Sequence, residues 1–157
     1  MKRILVVLVV LGMASGLALP GVPRVLAQAL QLTPEGALGL GEIFVGPSPG
    51  AVTISAAGVR SSTGGVTLGS SSEAAAARFT VTGEPNGVFD VTLPSSATLS
   101  SGAHSMTLDT FTSSPSGSGT LDAFGMQTLT VGATLHVGAA QPSGSYSGFY
   151  NVTVAYN

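Results

Sequence analysis

The sequence contains no cysteine, no tryptophan and very little charge, and each absence excludes a class of protein. Without cysteine there can be no disulfide framework, no thiolate metal site, no cysteine nucleophile and no lipid-modified N-terminal cysteine. Charged residues make up 8% of the 157 residues, and Lys2 is the only lysine. A chain with so few cations cannot bind nucleic acid or an anionic membrane surface by neutralising phosphates.

Long apolar runs are also scarce, and the one that occurs lies at the start of the chain. Ile4–Leu11 follows Lys2 and Arg3, and Ala27-Gln28-Ala29 comes after it. The run is shorter than the about 20 apolar residues that a membrane span requires, so we expect no stable membrane span. A basic start, an apolar middle and an A-x-A site predict a secretory signal peptide over residues 1–29, cleaved after Ala29.

Cleavage at this site has a directly measurable consequence. N-terminal sequencing of the exported protein should begin Leu30-Gln31-Leu32, and a retained Met1 would contradict both the cleavage and an extracellular location. The processed chain, residues 30–157, keeps two arginines and all seven acids, which gives it a net charge of −5.

Glycine, serine and threonine are abundant, and they separate short segments in which apolar and polar residues alternate. About eight or nine such segments, with turn residues every 8–12 positions, predict an all-β fold: an immunoglobulin- or pilin-like antiparallel β-sandwich over residues 37–157. An extended arm, residues 30–36, precedes it. The alternation places these residues in the core: Val52, Ile54, Phe79, Val81, Phe89, Val91, Leu129, Val131, Val152 and Val154.

Three local patterns add detail to this prediction. Phe79–Leu93 has the pattern of a β-hairpin, because the turn sequence Glu84–Gly87 separates two alternating segments. Gly132 is expected to divide Leu121–Val137 into two short strands. Ser70–Ala77 is expected to be a loop, since it lacks any strand pattern.

Residue types that carry chemistry are present, but their spacing does not form a catalytic motif. His104 and His136 match no zinc-binding spacing, and no serine lies in a G-x-S-x-G elbow. Asp109 and Asp122 flank a Ser/Gly-rich loop, so calcium binding stays open, although their spacing is unlike that of a calcium loop. We therefore expect no enzymatic activity, no cofactor, no catalytic residue and no established metal ligand.

The clearest strand pattern closes the sequence, in Gly144–Asn157. Tyr146, Tyr150, Val152, Val154 and Tyr156 occupy one phase of a period-two pattern, and mostly polar residues occupy the other. Together with the segments 51–68 and 79–94, residues 131–157 resemble a family of secreted bacterial β-sandwich domains of unknown function with a C-terminal YxGxFxVTVxYN-type strand. The resemblance implies the fold and secretion, and it implies no catalytic residues.

The two chain ends are more distantly similar to those of chaperone–usher pilins. Pilins end in an alternating strand with a penultimate aromatic residue and a glycine about a dozen residues earlier. Here Tyr156 and Gly144 occupy these positions. The resemblance implies donor-strand complementation, in which an N-terminal arm fills a groove in a neighbouring subunit. The arm here is Leu30–Gly36, with Leu30 and Leu32 as its apolar residues.

From these patterns we expect a structural subunit of an extracellular fibre or pilus. Its expected partners are other copies of itself, together with a periplasmic chaperone and an usher as candidate assembly partners, and Leu30–Gly36 is expected to pair in trans beside Gly144–Asn157. Two alternatives stay open. The chain could be a monomeric secreted sandwich that binds a carbohydrate or protein, or it could be an exported hydrolase.

Overall fold

The computed structural model describes residues 3–13, 28–70 and 72–157, with residues 3–13 described as backbone. Outside this range lie Lys2 and residues 14–27, which include Ala27 of the predicted cleavage site. The described part contains no helix, and therefore none long and apolar enough to cross a membrane. Its strands are β1 (Arg3–Met13), β2 (Gln31–Gly36), β3 (Gly39–Leu40), β4 (Ile43–Ile54), β5 (Arg60–Leu68), β6 (Ala74–Ala75), β7 (Ala77–Thr82), β8 (Val88–Thr92), β9 (Ser96–Ser101), β10 (His104–Ser114), β11 (Ser118–Thr120), β12 (Met126–Val137) and β13 (Gly144–Tyr156).

The all-β class is confirmed, and the fold is consistent with the predicted antiparallel β-sandwich. Strands are more numerous than the eight or nine predicted. Three of them, β3, β6 and β11, contain only two or three residues, which is too short for any period-two pattern to show in a sequence. One of these, β6, lies in the segment Ser70–Ala77 that was expected to be a loop.

The long strand β12 connects much of the fold. Along one side it pairs with β10, and along the other it pairs first with β7 and then with β4. Gly132 does not divide this strand as predicted, because β12 runs through it without a break. A Cβ atom at Gly132 would collide with the carbonyl oxygen of Ile54, so glycine here permits two strands to approach closely.

The predicted core is largely confirmed. Nine of the ten residues assigned to it are at most 2% exposed, and Val91 is half-buried against the same cluster. The core also includes Leu38, Leu40 and Ile43, all fully buried, which come from the segment that leads from β2 into β4. Alternation therefore identified the inward faces of the strands.

The predicted hairpin over Phe79–Leu93 is wrong. Its two halves form β7 and β8, but β7 pairs with β2 and β12, whereas β8 pairs with β11 and β13. The connection Glu84–Gly87 is still a tight turn, with φ of 61° at Asn86 and a hydrogen bond from the Gly87 N–H to the Glu84 carbonyl oxygen. The Asn86 N–H of this turn donates to the carbonyl oxygen of Asp122 in the neighbouring loop. The turn therefore connects β7 to β8 without placing the two strands side by side.

Candidate strand-acceptor site

One edge of β13 has an unusual partner. Ile4–Met13 of β1 pairs in parallel with Gly144–Thr153 over ten consecutive positions, and every other strand pairing in the described part of the chain is antiparallel. We call these ten residues of β13 the acceptor edge. Its opposite side is covered by β8 and β9, so β1 supplies the second row of hydrogen-bond partners for the strand.

A second wall lies on the other side of β1. Arg3 and Ile4 pair antiparallel with Phe44 and Ile43, and Val7 pairs with Gly39. Among the described strands, β1 alone pairs both with β13 and with the segment Gly39–Phe44. If the predicted signal peptide is removed, one strand is missing between these two walls; we call that position the acceptor groove.

This second wall was not predicted from the sequence. Its signal was present in the apolar residues Leu38, Leu40 and Ile43, whose spacing shifts phase at Ile43. A phase shift indicates that a chain changes the face, or the sheet, to which it contributes. The structure bears this out, because the chain pairs with β7 through β2 and pairs with β1 only from Gly39 onward.

Side chains along the acceptor edge follow the predicted alternation. Tyr146, Tyr150 and Val152 are buried, whereas Ser145 and Ser147 are exposed. Gly144 and Gly148 fall in the inward phase and are half-buried. Gly148 has to be a glycine, because a Cβ atom there would collide with the carbonyl oxygen of Thr98 in β9. Phe149 points outward and is 71% exposed.

The two buried tyrosines of this edge differ in their hydroxyl groups. The Tyr146 hydroxyl donates to the Pro142 carbonyl oxygen at 2.9 Å and accepts from the Gln141 side-chain amide at 3.1 Å. The Tyr150 hydroxyl is buried and has no hydrogen-bond partner among the described residues, and its ring packs against Phe111 with 5.1 Å between centroids. Burial raises the pKa of Tyr150, so its phenol stays protonated.

This difference predicts opposite effects for one substitution. Tyr146→Phe should lower the free energy of unfolding by about 1–2 kcal/mol, because it removes two satisfied hydrogen bonds. Tyr150→Phe should leave it unchanged or raise it by up to about 1 kcal/mol, because a buried hydroxyl without a partner costs desolvation energy. Urea unfolding of both variants checks this, and an equal loss in the two would contradict the hydrogen-bond assignment.

The last residues of β13 lie beyond the acceptor edge. Val154 and Tyr156 pair with Val91 and Phe89 of β8, and the registers with β1 end at Thr153. The Tyr156 hydroxyl accepts from the Glu84 N–H at 2.6 Å and donates to the Gln28 carbonyl oxygen at 2.9 Å. The structure therefore places Gly144, Tyr146, Tyr150 and Val152 on the acceptor edge, whereas Val154 and Tyr156 pair with β8 beyond it. The residue that Tyr156 bonds, Gln28, precedes the predicted cleavage site.

The predicted arm lies on its own domain in the single chain. Gln31–Gly36 forms β2 and pairs antiparallel with β7, with Leu32 opposite Val81 and Gly36 opposite Arg78. Leu30 is 5% exposed, but Leu32 is half-buried and the other residues of β2 are exposed. The expected location away from its own domain is thus not observed, because β7 offers a free edge directly beside the arm. Pairing in trans stays a prediction.

The remaining candidate residues have local partners. Nε2 of His136 lies 2.8 Å from Oδ1 of Asp109, and hydrogen bonds from His136 and then Thr110 lower the pKa of Asp109. Oδ1 of Asp122 accepts two backbone N–H groups of its own turn. His104 is exposed at the start of β10. In the described residues no three His, Asp or Glu side chains gather as a metal site.

Comparison with known proteins gives one match. A family model described as a domain of unknown function covers residues 30–156. No curated protein and no solved structure matches the chain.

Proposed function

The chain belongs to the DUF4402 family, and from its geometry we propose that it is a non-enzymatic structural subunit of an extracellular fibre or pilus, assembled by β-strand addition between copies. The observation that carries this proposal is the ten-residue pairing of the acceptor edge with β1. Among the described strands, β1 alone lies between β13 and Gly39–Phe44, and signal-peptide cleavage would remove it. The processed chain would then be exported as a sandwich in which the strand position of β1 is open.

An open position of this kind favours the addition of a strand. A strand in the acceptor groove has hydrogen-bond partners on both sides, in β13 and in Gly39–Phe44. Unpaired backbone groups and exposed core residues lie beside such a gap. It is therefore the edge of a β-sandwich at which another strand pairs most readily. A periplasmic chaperone that covers the edge and an usher that releases it are partners consistent with this chemistry.

We propose that the donor is the arm Leu30–Gly36 of a neighbouring copy. On β7 this arm has one hydrogen-bonded neighbour and buries little beyond Leu30, whereas in the acceptor groove it would have two neighbours. Seven extended residues span about 23–25 Å, which covers most of a ten-residue edge of about 33 Å. Leu30 is already buried on its own domain, so the apolar burial gained in the groove is that of half-buried Leu32, which contributes at most about 3 kcal/mol before entropy. Exchange therefore replaces pairing of the arm with one strand by pairing with a strand on each side.

Deletion of the arm tests this function. The exported protein should form fibres that sediment and are visible by negative-stain microscopy, and a variant that lacks Leu30–Gly36 should remain monomeric, because its acceptor groove stays without a donor. If both proteins were monomeric and equally stable in urea, strand exchange would be excluded. A monomeric secreted sandwich that binds a carbohydrate or protein would then be the better account.

A further inference from the structure

In the full chain the acceptor groove is filled by a segment of that same chain. Ile4–Met13 pairs along ten consecutive positions of β13, and Arg3, Ile4 and Val7 pair with the second wall. The arm Leu30–Gly36 has only seven residues to pair in the same groove. The attached signal peptide is therefore a longer strand for this groove than the arm that fills it in the proposed fibre.

The segment that joins β1 to the domain starts and ends near the same end of β13. Met13 pairs with Thr153. The Gln28 carbonyl oxygen accepts from the Tyr156 hydroxyl at 2.9 Å. These two residues of β13 are three positions apart, which is about 10 Å along the strand. The fourteen residues between Met13 and Gln28 can span up to about 46 Å, so the chain is long enough to place β1 in its own groove.

Attachment to the same chain favours β1 over a strand from another copy. A strand tethered by a short linker has an effective concentration of about 1 mM, so it competes about a thousandfold better than an equal strand from a copy at about 1 μM. The tethered strand also has more paired positions than the arm. A precursor that has folded around β1 therefore offers no free acceptor edge to a neighbour.

The folded domain also holds the residues on both sides of the predicted cleavage site. On one side, the Gln28 carbonyl oxygen accepts the hydrogen bond from Tyr156. On the other side, Leu30 is buried, and Gln31 begins β2 by pairing with Thr82. A peptidase needs the residues around the bond it cuts to be extended and accessible, so it acts on a folded chain only when such contacts open. Folding therefore slows cleavage.

We propose that the signal peptide is an intramolecular inhibitor of assembly: a precursor that folds before cleavage is a closed monomer, with Ile4–Met13 in its own acceptor groove. Cleavage after Ala29 has to precede folding, so that the domain folds with its groove open. This inference rests on the proposed function and names how the acceptor groove is regulated. Removal of the signal peptide thus determines when strand addition can begin.

Engineered cysteines test the occupancy of the groove without background, because the chain has none of its own. The uncleaved precursor is obtained with Ala29→Phe, which replaces a small residue that cleavage requires, and is refolded from denaturant. Val7→Cys and Ser147→Cys substitute two register partners, whose strands lie about 4.8 Å apart and suit a disulfide. We expect most monomers to form it on oxidation, as measured by mass spectrometry. The matched control, Val7→Cys with Val59→Cys in the exposed turn after β4, should stay reduced.

Fibre growth tests the consequence of this occupancy. The processed protein should form fibres, whereas the refolded precursor at the same concentration should form at least about tenfold fewer. Leu8→Pro with Val9→Pro in the precursor should restore fibres. Successive N–H groups of a strand point to opposite sides, so two adjacent prolines remove one N–H from the pairing with β13. This variant keeps the signal peptide attached, so it separates occupancy of the groove from attachment alone.

The outcomes separate the inhibition from the strand exchange. Equal fibre growth by the processed protein and the precursor would overturn the inhibition and leave strand addition intact. Fibres from the processed protein without any from the proline variant would also overturn it, because the signal peptide would then block assembly without filling the groove. If the processed protein formed no fibres, the proposed function would fail, and the disulfide would decide the occupancy. A yield no higher than that of the control, which a precursor unable to refold would also give, would overturn the occupancy, whereas a disulfide in most monomers would support it.

Discussion

Phe89→Ala is expected to lower the free energy of unfolding by about 3–5 kcal/mol, from lost transfer energy and the cavity that remains. Phe89 is fully buried in β8 and lies opposite Tyr156 of β13. A Cβ atom at Gly119 would come within 2.7 Å of its ring, so β11 packs directly against it. The cavity would therefore open between three strands that have little freedom to close it.

The matched control is the preceding residue of the same strand. Val88 is 45% exposed, because it occupies the opposite phase of the alternation, and Val88→Ala should cost less than about 1 kcal/mol. Urea unfolding of the two variants and the exported protein measures the difference. A loss below about 1 kcal/mol for Phe89→Ala would show that the face assigned to β8 is wrong.

Sequence periodicity predicted faces much better than partners. The inward residues of β7, β8 and β13 were identified correctly, because each strand repeats its own pattern locally. The partner of β8 was predicted wrongly, since the turn Glu84–Gly87 specifies a reversal of direction and does not specify which strand will lie alongside. Strand pairing depends on distant residues such as Gly119 and Thr153, which no local window contains.

The candidate site was predictable in part for the same reason. The alternation of β13 indicated an edge strand that needs a neighbour, and Leu30 and Leu32 indicated a segment suited to pair with one. The second wall was missed because β3 has only two residues, and its position beside β1 follows from the crossing of the chain between β2 and β4. The cis position of the arm depends on the free edge of β7, which is a property of the folded sheet.

Leu32→Asp is expected to abolish fibre formation and to leave the exported protein folded and monomeric. Leu32 is half-buried on β7, at the edge of the sheet, so a carboxylate there can reach water in the single chain. In the acceptor groove the same position would lie between two strands and face the core, where an unpaired charge is strongly unfavourable. The substitution should therefore act on assembly far more than on folding.

Thr33→Asp is the matched control, because it adds the same charge one residue further along the arm. Thr33 is exposed and points to the opposite face of the strand, so this variant should still form fibres. Failure of both variants would indicate that charge on the arm, and not its inward face, prevents assembly. Fibres of normal length from Leu32→Asp would exclude the arm as the donor.

Mixing identifies the step at which Leu32→Asp fails. This variant keeps its acceptor edge, since its substitution is in the arm, so it can receive an arm from an unsubstituted copy but cannot donate one. Each incorporated copy should end the growth of a fibre. Addition of about one tenth of Leu32→Asp to the unsubstituted protein should shorten the fibres several-fold in negative-stain images, whereas the same amount of Thr33→Asp should leave their length unchanged, because that variant retains both a donor and an acceptor.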